Sequence, residues 1–243
     1  MKTEKAYKLL AIQENISNRS AKELIDKGVV YIGNKKVAIA RGEVKVDAKF
    51  KIKKIEKIKK IFEDENIIAI DKPAFLTSEE VAKKAGFPLL HRLDKETSGV
   101  LLLYKNDDFR EKAINEFKNH RVLKEYIAWV EGKVAEEMEI DSPILTLKNK
   151  KGKAYSKISK DGKEAITFIE PILIEGNKSK IKATIKTGRT HQIRVHLKSI
   201  GHSIIGDTQY GGKPYERILL HSSKIELLNY SFTSNEHKSF NIT

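Results

Sequence analysis

The sequence predicts mixed helices and strands in two unequal domains, a small one over residues 1–60 and a larger one over 61–243. Three observations point there. A chain of 243 residues is long enough to bury a substantial core. Its charge is lopsided, because 17 Lys and Arg against 7 Asp and Glu in residues 1–60 supply +10 of the net +14. From Ile67 onward, apolar runs of strand character are broken by segments of helical period.

The first domain begins its regular structure near residue 16. Asn18 and Ser20 precede a segment in which Ala21, Leu24 and Ile25 fall at helical spacing, and Gly28 stops it. Val29, Val30 and Ile32, then Gly33-Asn34, then Val37 and Ile39 predict two strands around a tight turn. Residues 51–60 alternate lysines with Ile52, Ile55 and Ile58, a linker edge that periodicity leaves open between strand and short helix. In the second domain, Ile67 to Ile70 opens the strand pattern, and residues 107–119 predict a helix with Phe109, Ala113, Ile114 and Phe117 on one side. Tyr126 to Val130, Ala165 to Leu173 and Ile181 to Ile185 read as strands, and residues 148–153 as a mobile basic loop.

Composition excludes several classes of function. With 40% hydrophobic and 33% charged residues, the chain is neither a disordered linker nor a fibrous repeat. The absence of cysteine removes a disulfide scaffold, a thiolate nucleophile, an iron–sulfur cluster and a cysteine zinc site. No apolar run approaches the roughly 20 residues of a membrane span, and the first residues lack the apolar stretch of a signal sequence. The expected location is the cytoplasm, with no membrane partner and a monomer by default. The basic surplus suits a polyanionic partner, and nucleic acid is the foremost candidate.

Two polar blocks could carry chemistry. The first sets His91-Arg92-Leu93-Asp94-Lys95-Glu96-Thr97-Ser98-Gly99 between two apolar runs, as a loop on a rigid sheet would. Asp94 stands beside Arg92 and Lys95, which favours an ionised carboxylate fit to act as nucleophile or base. An ion-paired turn is the alternative reading of the same spacing. The second block runs from Lys186 to Leu197. Thr190 is the predicted cap of a helix reaching about Ser199, Ile193 and Leu197 face inward, and Arg189 sits at the helix mouth. His191 and Arg194 share a face at i, i+3, whereas His196 points elsewhere, which argues against a histidine metal pair. No Gly-rich phosphate cradle occurs, so neither a metal nor a nucleotide cofactor is expected.

Taken together the blocks resemble the RluA family of pseudouridine synthases over roughly residues 65–225. The resemblance is carried by Lys72-Pro73, His91 to Asp94 with Thr97-Ser98-Gly99, Lys124-Glu125-Tyr126, Gly162-Lys163 with Ala165 and Thr167, Thr187 to His196, Gly206-Asp207 with Tyr210-Gly211, and Leu220-His221. Phe75, Ser203 and Ser222 depart from the family's usual glycine, proline and alanine, and the segment between Lys72-Pro73 and His91 is short. The first domain similarly resembles the alpha-L RNA-binding module through Asn18 to Ala21, Leu24-Ile25, Gly28 to Val30 and Val37, with Arg19 central and Lys22 one turn away. A basic packing element is the alternative there.

The resemblance implies an α+β fold, with a mixed, mainly antiparallel sheet flanked by helices and a cleft across it. It implies isomerisation of uridine in RNA to pseudouridine without cofactor, by breaking the N-glycosidic bond, rotating the base and rejoining it through C5. Asp94 becomes the catalytic carboxylate, Arg189 the arginine that pairs with it, and Tyr126 the aromatic that stacks on the base, with a share in moving the C5 proton. Whether Asp94 attacks the sugar, attacks the base or removes a sugar proton stays open. Arg92 is the residue that occupies the space vacated by the extruded base, and Arg19, Lys22, His191 and Arg194 are further RNA contacts. The implied substrate is ribosomal RNA, with transfer RNA the other candidate. A non-catalytic RNA-binding or ribosome-assembly factor explains the charge equally well, but not the joint match of Asp94, Tyr126 and Arg189. A metal-dependent nuclease needs clustered carboxylates, and near Asp94 the sequence offers Glu96 alone.

Overall fold

A computed structural model describes residues 2–33, 35–148 and 154–242 and divides the chain into two units, Met1–Lys57 and Ile58–Thr243. In the first unit, β1 (Thr3–Lys5) leads into α1 (Ala6–Gln13) and α2 (Asn18–Lys27). The strands β2 (Val30–Ile32), β3 (Lys35–Lys36), β4 (Glu43–Lys45) and β5 (Phe50–Ile52) follow. β2 pairs with β3 and β5, and β1 pairs with β4, all antiparallel. Ser17 caps α2 by accepting from the Ser20 N–H, which places Asn18 and Ser20 inside the helix rather than ahead of it. Gly28 ends it at φ +78°. Ala6 and Leu10 of α1 and Ala21 and Ile25 of α2 supply buried apolar groups. Asn34 of the expected turn, and residues 149–153 of the expected basic loop, lie outside the described residues.

The second unit is built on a mixed sheet in the order β10-β13-β14-β9-β15-β8-β7-β6, with β16 added against β15. The strands are β6 (Lys59–Glu63), β7 (Ile67–Lys72), β8 (Ser98–Tyr104), β9 (Leu123–Glu131), β10 (Met138–Asp141), β13 (Ile166–Glu175), β14 (Lys178–Ile185), β15 (Leu220–Leu227) and β16 (Tyr230–Thr233). β11 (Ile144–Lys148) and β12 (Ala154–Ile158) form a separate hairpin ladder. Only the β15–β8 pairing is parallel among the named ladders. The architecture is α+β, as the resemblance implies. β6 pairs with β7, so the end of the predicted linker is a strand, and Lys59 and Lys60 belong to this unit.

Three helices matter for the site. α3 (Ser78–Ala85) starts with a reciprocal capping box between Thr77 and Glu80. α4 (Asp107–Lys118) is capped by Asn106 and buries Phe109 and Ala113 against Ile67, Ala69, Val100, Leu102, Ile225 and Phe232. α5 (Gln192–Ser199) is buried along most of its length.

The central strands approach closely because of one glycine. Gly99, at φ +109°, faces β15, where an added Cβ would lie 2.1 Å from the Ser222 carbonyl oxygen. No L side chain fits that contact or that φ without strain. Gly99 thus holds β15 against β8 directly beside the loop that carries Asp94.

Candidate active site

Asp94 sits in the loop between α3 and β8, and the backbone on both sides of it is tied down. Ser78 Oγ donates to the Leu93 carbonyl at 3.0 Å and accepts from the Leu93 N–H at 2.9 Å. On the other side, the Lys95 carbonyl accepts from the Phe75 N–H at 2.8 Å and from Lys72 Nζ at 3.3 Å. Lys72 is fully buried and donates also to the carbonyls of Pro73 and Leu76. Burial lowers its pKa to about 7, and the neighbouring Arg217 acts in the same direction. Phe75, where the resemblance led us to expect glycine, holds φ +71°, so it keeps the left-handed backbone a glycine would adopt while its ring is buried. The outcome is a rigid loop from which the Asp94 carboxylate projects, its side chain 26% exposed.

The cation on Asp94 is Arg194. Its Nη1 donates to Asp94 Oδ2 at 3.0 Å, while Nε and Nη2 grip Asp207 at 2.7 and 2.9 Å in a two-pronged bond. Burial opposes the guanidinium charge, but the bonds and charge of Asp207, then those of Asp94, outweigh it and raise the Arg194 pKa above the ordinary arginine value. Asp207 is fully buried. It is placed by the turn at Gly206, φ +87°, where an added Cβ would stand 1.9 Å from the Arg217 carbonyl oxygen. One arginine therefore serves two carboxylates, a buried one that anchors it and one that is partly open to solvent.

This corrects two expectations. Arg189 was expected to pair with Asp94; instead its Nε donates to the Glu164 carbonyl at 2.8 Å. Arg194 was expected among the RNA contacts, but its side chain is 5% exposed and committed to Asp94 and Asp207. The reason is where α5 begins. Thr190 does not cap it; His191 is the cap residue at φ +57°, and Gln192 Oε1 accepts the Arg189 N–H at 3.0 Å. Arg189 thus lies on the turn before the helix, and Arg194 on its first turn.

His191 also belongs to the carboxylate, not to an open RNA surface. Its Nε2 is 3.7 Å from Asp94 Oδ2, and its Nδ1 is 2.7 Å from the Tyr210 hydroxyl, which accepts from the Ser156 N–H. Burial lowers the His191 pKa even against the pull of Asp94. Gln192 is buried and bonds Thr187, Ile166 and Thr167, and His196 bonds Thr167 and the Ser142 carbonyl, so α5 is fixed to β13. Tyr126 lies at the centre of β9, buried, its phenol pushed above the ordinary tyrosine range by desolvation with the Asp94 charge adding to it. Behind it, Lys124 Nζ reaches toward the carbonyls of Lys186 and Thr187, and burial lowers its pKa to about 8.

The remaining predicted contacts each have a local partner. Arg92 is exposed and pairs with Glu79 at 2.9 Å, an interaction weak enough for the side chain to swing away. Arg19 is exposed and pairs with Glu23 along α2, and Lys22 lies 4.4 Å above the Tyr7 ring. Among the described residues no helix is long and apolar enough to cross a membrane.

His91 supports the loop from beneath by accepting the Leu102 N–H at Nε2, 3.1 Å. Burial lowers its pKa to about 4 from an ordinary 6.5. The unfolded ring binds protons first, so the associated stability is full above pH 6.5 and lost as pH falls toward about 4. The expected effect is a loss of about 2 kcal/mol across that window. Thermal melts should show a steeper acid decline for the parent than for His91→Gln.

With this geometry in hand, the comparisons with known proteins define the class. The family model for RNA pseudouridylate synthase matches residues 71–199. An uncharacterized RNA pseudouridine synthase of Helicobacter pylori is 54% identical over 243 residues, covering 98% of this chain and all of its own. A ribosomal large subunit pseudouridine synthase C of Rickettsia felis is 38% identical over 201 residues, 74% of this chain and 66% of its own. Among solved structures, human RNA pseudouridylate synthase domain containing 1 superposes with a TM-score of 0.64 at 25% identity, over 76% of this chain and 87% of that one. The chain belongs to the RNA pseudouridylate synthase family, and it is an RNA pseudouridine synthase.

Proposed function

We propose that the chain isomerises uridines of structured ribosomal RNA in the cytoplasm, with Asp94 as the catalytic carboxylate and no cofactor. The observation that supports this most is the division of labour around Arg194. Asp207, 1% exposed, holds the arginine, and Asp94, 26% exposed, is presented by it. Fixing an accessible carboxylate against a pre-anchored cation is what attack or proton removal at a sugar or base demands. Tyr126, buried on β9 and within the field of Asp94, supplies the face on which an extruded base would stack. Extrusion costs a few kcal/mol, which stacking and backbone contacts offset, and Arg92 would fill the vacated space. Arg189, half-buried on the turn before α5, then falls to phosphate contact, alongside Arg19 and Lys22 of the first unit.

The test is release of tritium from RNA labelled at uridine C5, with and without chelator. Release without strand cleavage and indifferent to chelator is the expected result. Binding without release would favour a non-catalytic RNA-binding factor, and cleavage abolished by chelator a nuclease. Carbodiimide mapping in cells with and without the gene then assigns the substrate: loss of a pseudouridine from transfer RNA alone would reject the ribosomal assignment.

The first unit is assigned the role of an alpha-L RNA-binding module. It contains 15 Lys and Arg against 7 Asp and Glu, a surplus of +8. Removing residues 1–57, which leaves β6 in its sheet, should weaken binding and flatten its salt dependence, the slope falling by about 0.7 to 0.9 for each phosphate no longer neutralised. Chemistry on a short substrate should survive. An unchanged slope of log affinity against log salt would reduce the unit to a packing element.

A further inference from the structure

Ser222 is fully buried in β15, and among the described residues its hydroxyl has no hydrogen-bond partner. An unpaired buried hydroxyl is costly, so its presence calls for an explanation. β15 lies between β9 and β8, and Ser222 pairs in register with Tyr126 on one side and Gly99 on the other. Residues directly opposite on antiparallel strands share a face of the sheet, so Ser222 and Tyr126 stand side by side on one face.

We propose that Ser222 is a positioning residue for the isomerisation, donating its hydroxyl proton to the phenol oxygen of Tyr126. The inference rests on the reading of Tyr126 as the residue that meets the target base. A serine hydroxyl rotates to suit its partner, so small adjustment as the base enters suffices to form the bond. Once the phenol oxygen accepts from Ser222, the phenol's own proton is left to point into the cleft, where Asp94 and the base lie. The electrostatics around Tyr126 point the same way: burial and the Asp94 charge push the phenol up, and the neighbouring Ser222 hydroxyl pulls it down, as a donor to the phenol oxygen does. The proton stays shared between the two oxygens, and no covalent step is added to the reaction.

The experiment places 3,5-difluorotyrosine at position 126, so that ionisation falls in an accessible range, and follows it by fluorine NMR in the full chain with substrate RNA bound, the state in which the bond is proposed to form. Ser222→Ala should raise the apparent pKa by about half to one pH unit, the effect of losing one hydrogen bond, and Ser222→Thr should restore it. In unlabelled enzyme, Ser222→Ala should lower the single-turnover rate about threefold to tenfold, with RNA affinity unchanged. Folding is not at risk, because alanine removes an unpaired hydroxyl and the melting temperature should hold or rise. An unmoved titration overturns the proposal, whether or not affinity falls. A moved titration with a parental rate overturns the positioning role. Because the NMR readout is independent of turnover, it fails separately from the assignment of Asp94 and Tyr126 to catalysis.

Discussion

Asp94→Asn should fold and bind RNA like the parent enzyme while its turnover falls below about 1%, a barrier increase of at least about 2.7 kcal/mol. The structure makes this substitution informative because the loop does not depend on the carboxylate. Leu93 and Lys95 are held through their backbone by Ser78, Lys72 and Phe75, and Arg194 keeps its two-pronged bond to Asp207. The amide retains an oxygen that can accept from Arg194 Nη1, so shape persists while nucleophile and base are removed together. Tritium release in single turnover, beside a melting curve and a binding isotherm, measures the three quantities separately. Turnover above 1% with an intact fold would remove Asp94 from the role proposed for it.

The fold is legible in the sequence where local signals are strong. The helix expected at 107–119 appears as Asp107–Lys118 because Asn106 caps it and Phe109 and Ala113 meet the core at helical spacing. The strands around Tyr126, Ala165 and Ile181 appear as β9, β13 and β14 because their apolar runs lie in a sheet covered by helices. α1 carries no side-chain cap and so announces itself by no local signal, and the 51–60 segment is ambiguous because its strand identity comes from pairing with β7, a long-range contact. In the site, Asp94 is legible from its polar loop between apolar runs. Its partner is easily misassigned because two arginines five residues apart, Arg189 and Arg194, sit in one block. The signal that separates them is present: Arg194 lies among Ile193, Val195 and Leu197, and an arginine inside a buried run requires a buried counter-ion. That counter-ion, Asp207, lies on a turn whose position depends on Gly206 clearing the Arg217 carbonyl, which no local pattern encodes.

The pairing of Arg194 with both carboxylates predicts opposite fates for two conservative substitutions. Arg194→Lys keeps one positive charge but replaces a planar fork by a single ammonium, whose three protons share one nitrogen and cannot span Asp207 and Asp94 as the three guanidinium nitrogens do. Asp207 is fully buried, so the ammonium will be drawn to it, and Asp94 will lose its orienting bond. The single-turnover rate should fall about 100-fold or more, as small misplacements in active sites produce. Stability should fall by about 2 kcal/mol, less than the cost of leaving a buried charge unpaired because the cation is kept. Arg189→Lys, by contrast, gives up one bond to the Glu164 carbonyl at the edge of the cleft, and its rate should stay within about threefold of the parent, with at most a modest loss of RNA affinity. Rates are to be compared at a temperature where both variants are folded by circular dichroism, so that the loss in Arg194→Lys is one of chemistry. A hundredfold defect in Arg189→Lys beside a near-parental Arg194→Lys would mean that Asp94 changes its arginine when RNA binds, and the resting pair would then be a structural salt bridge with no part in the reaction.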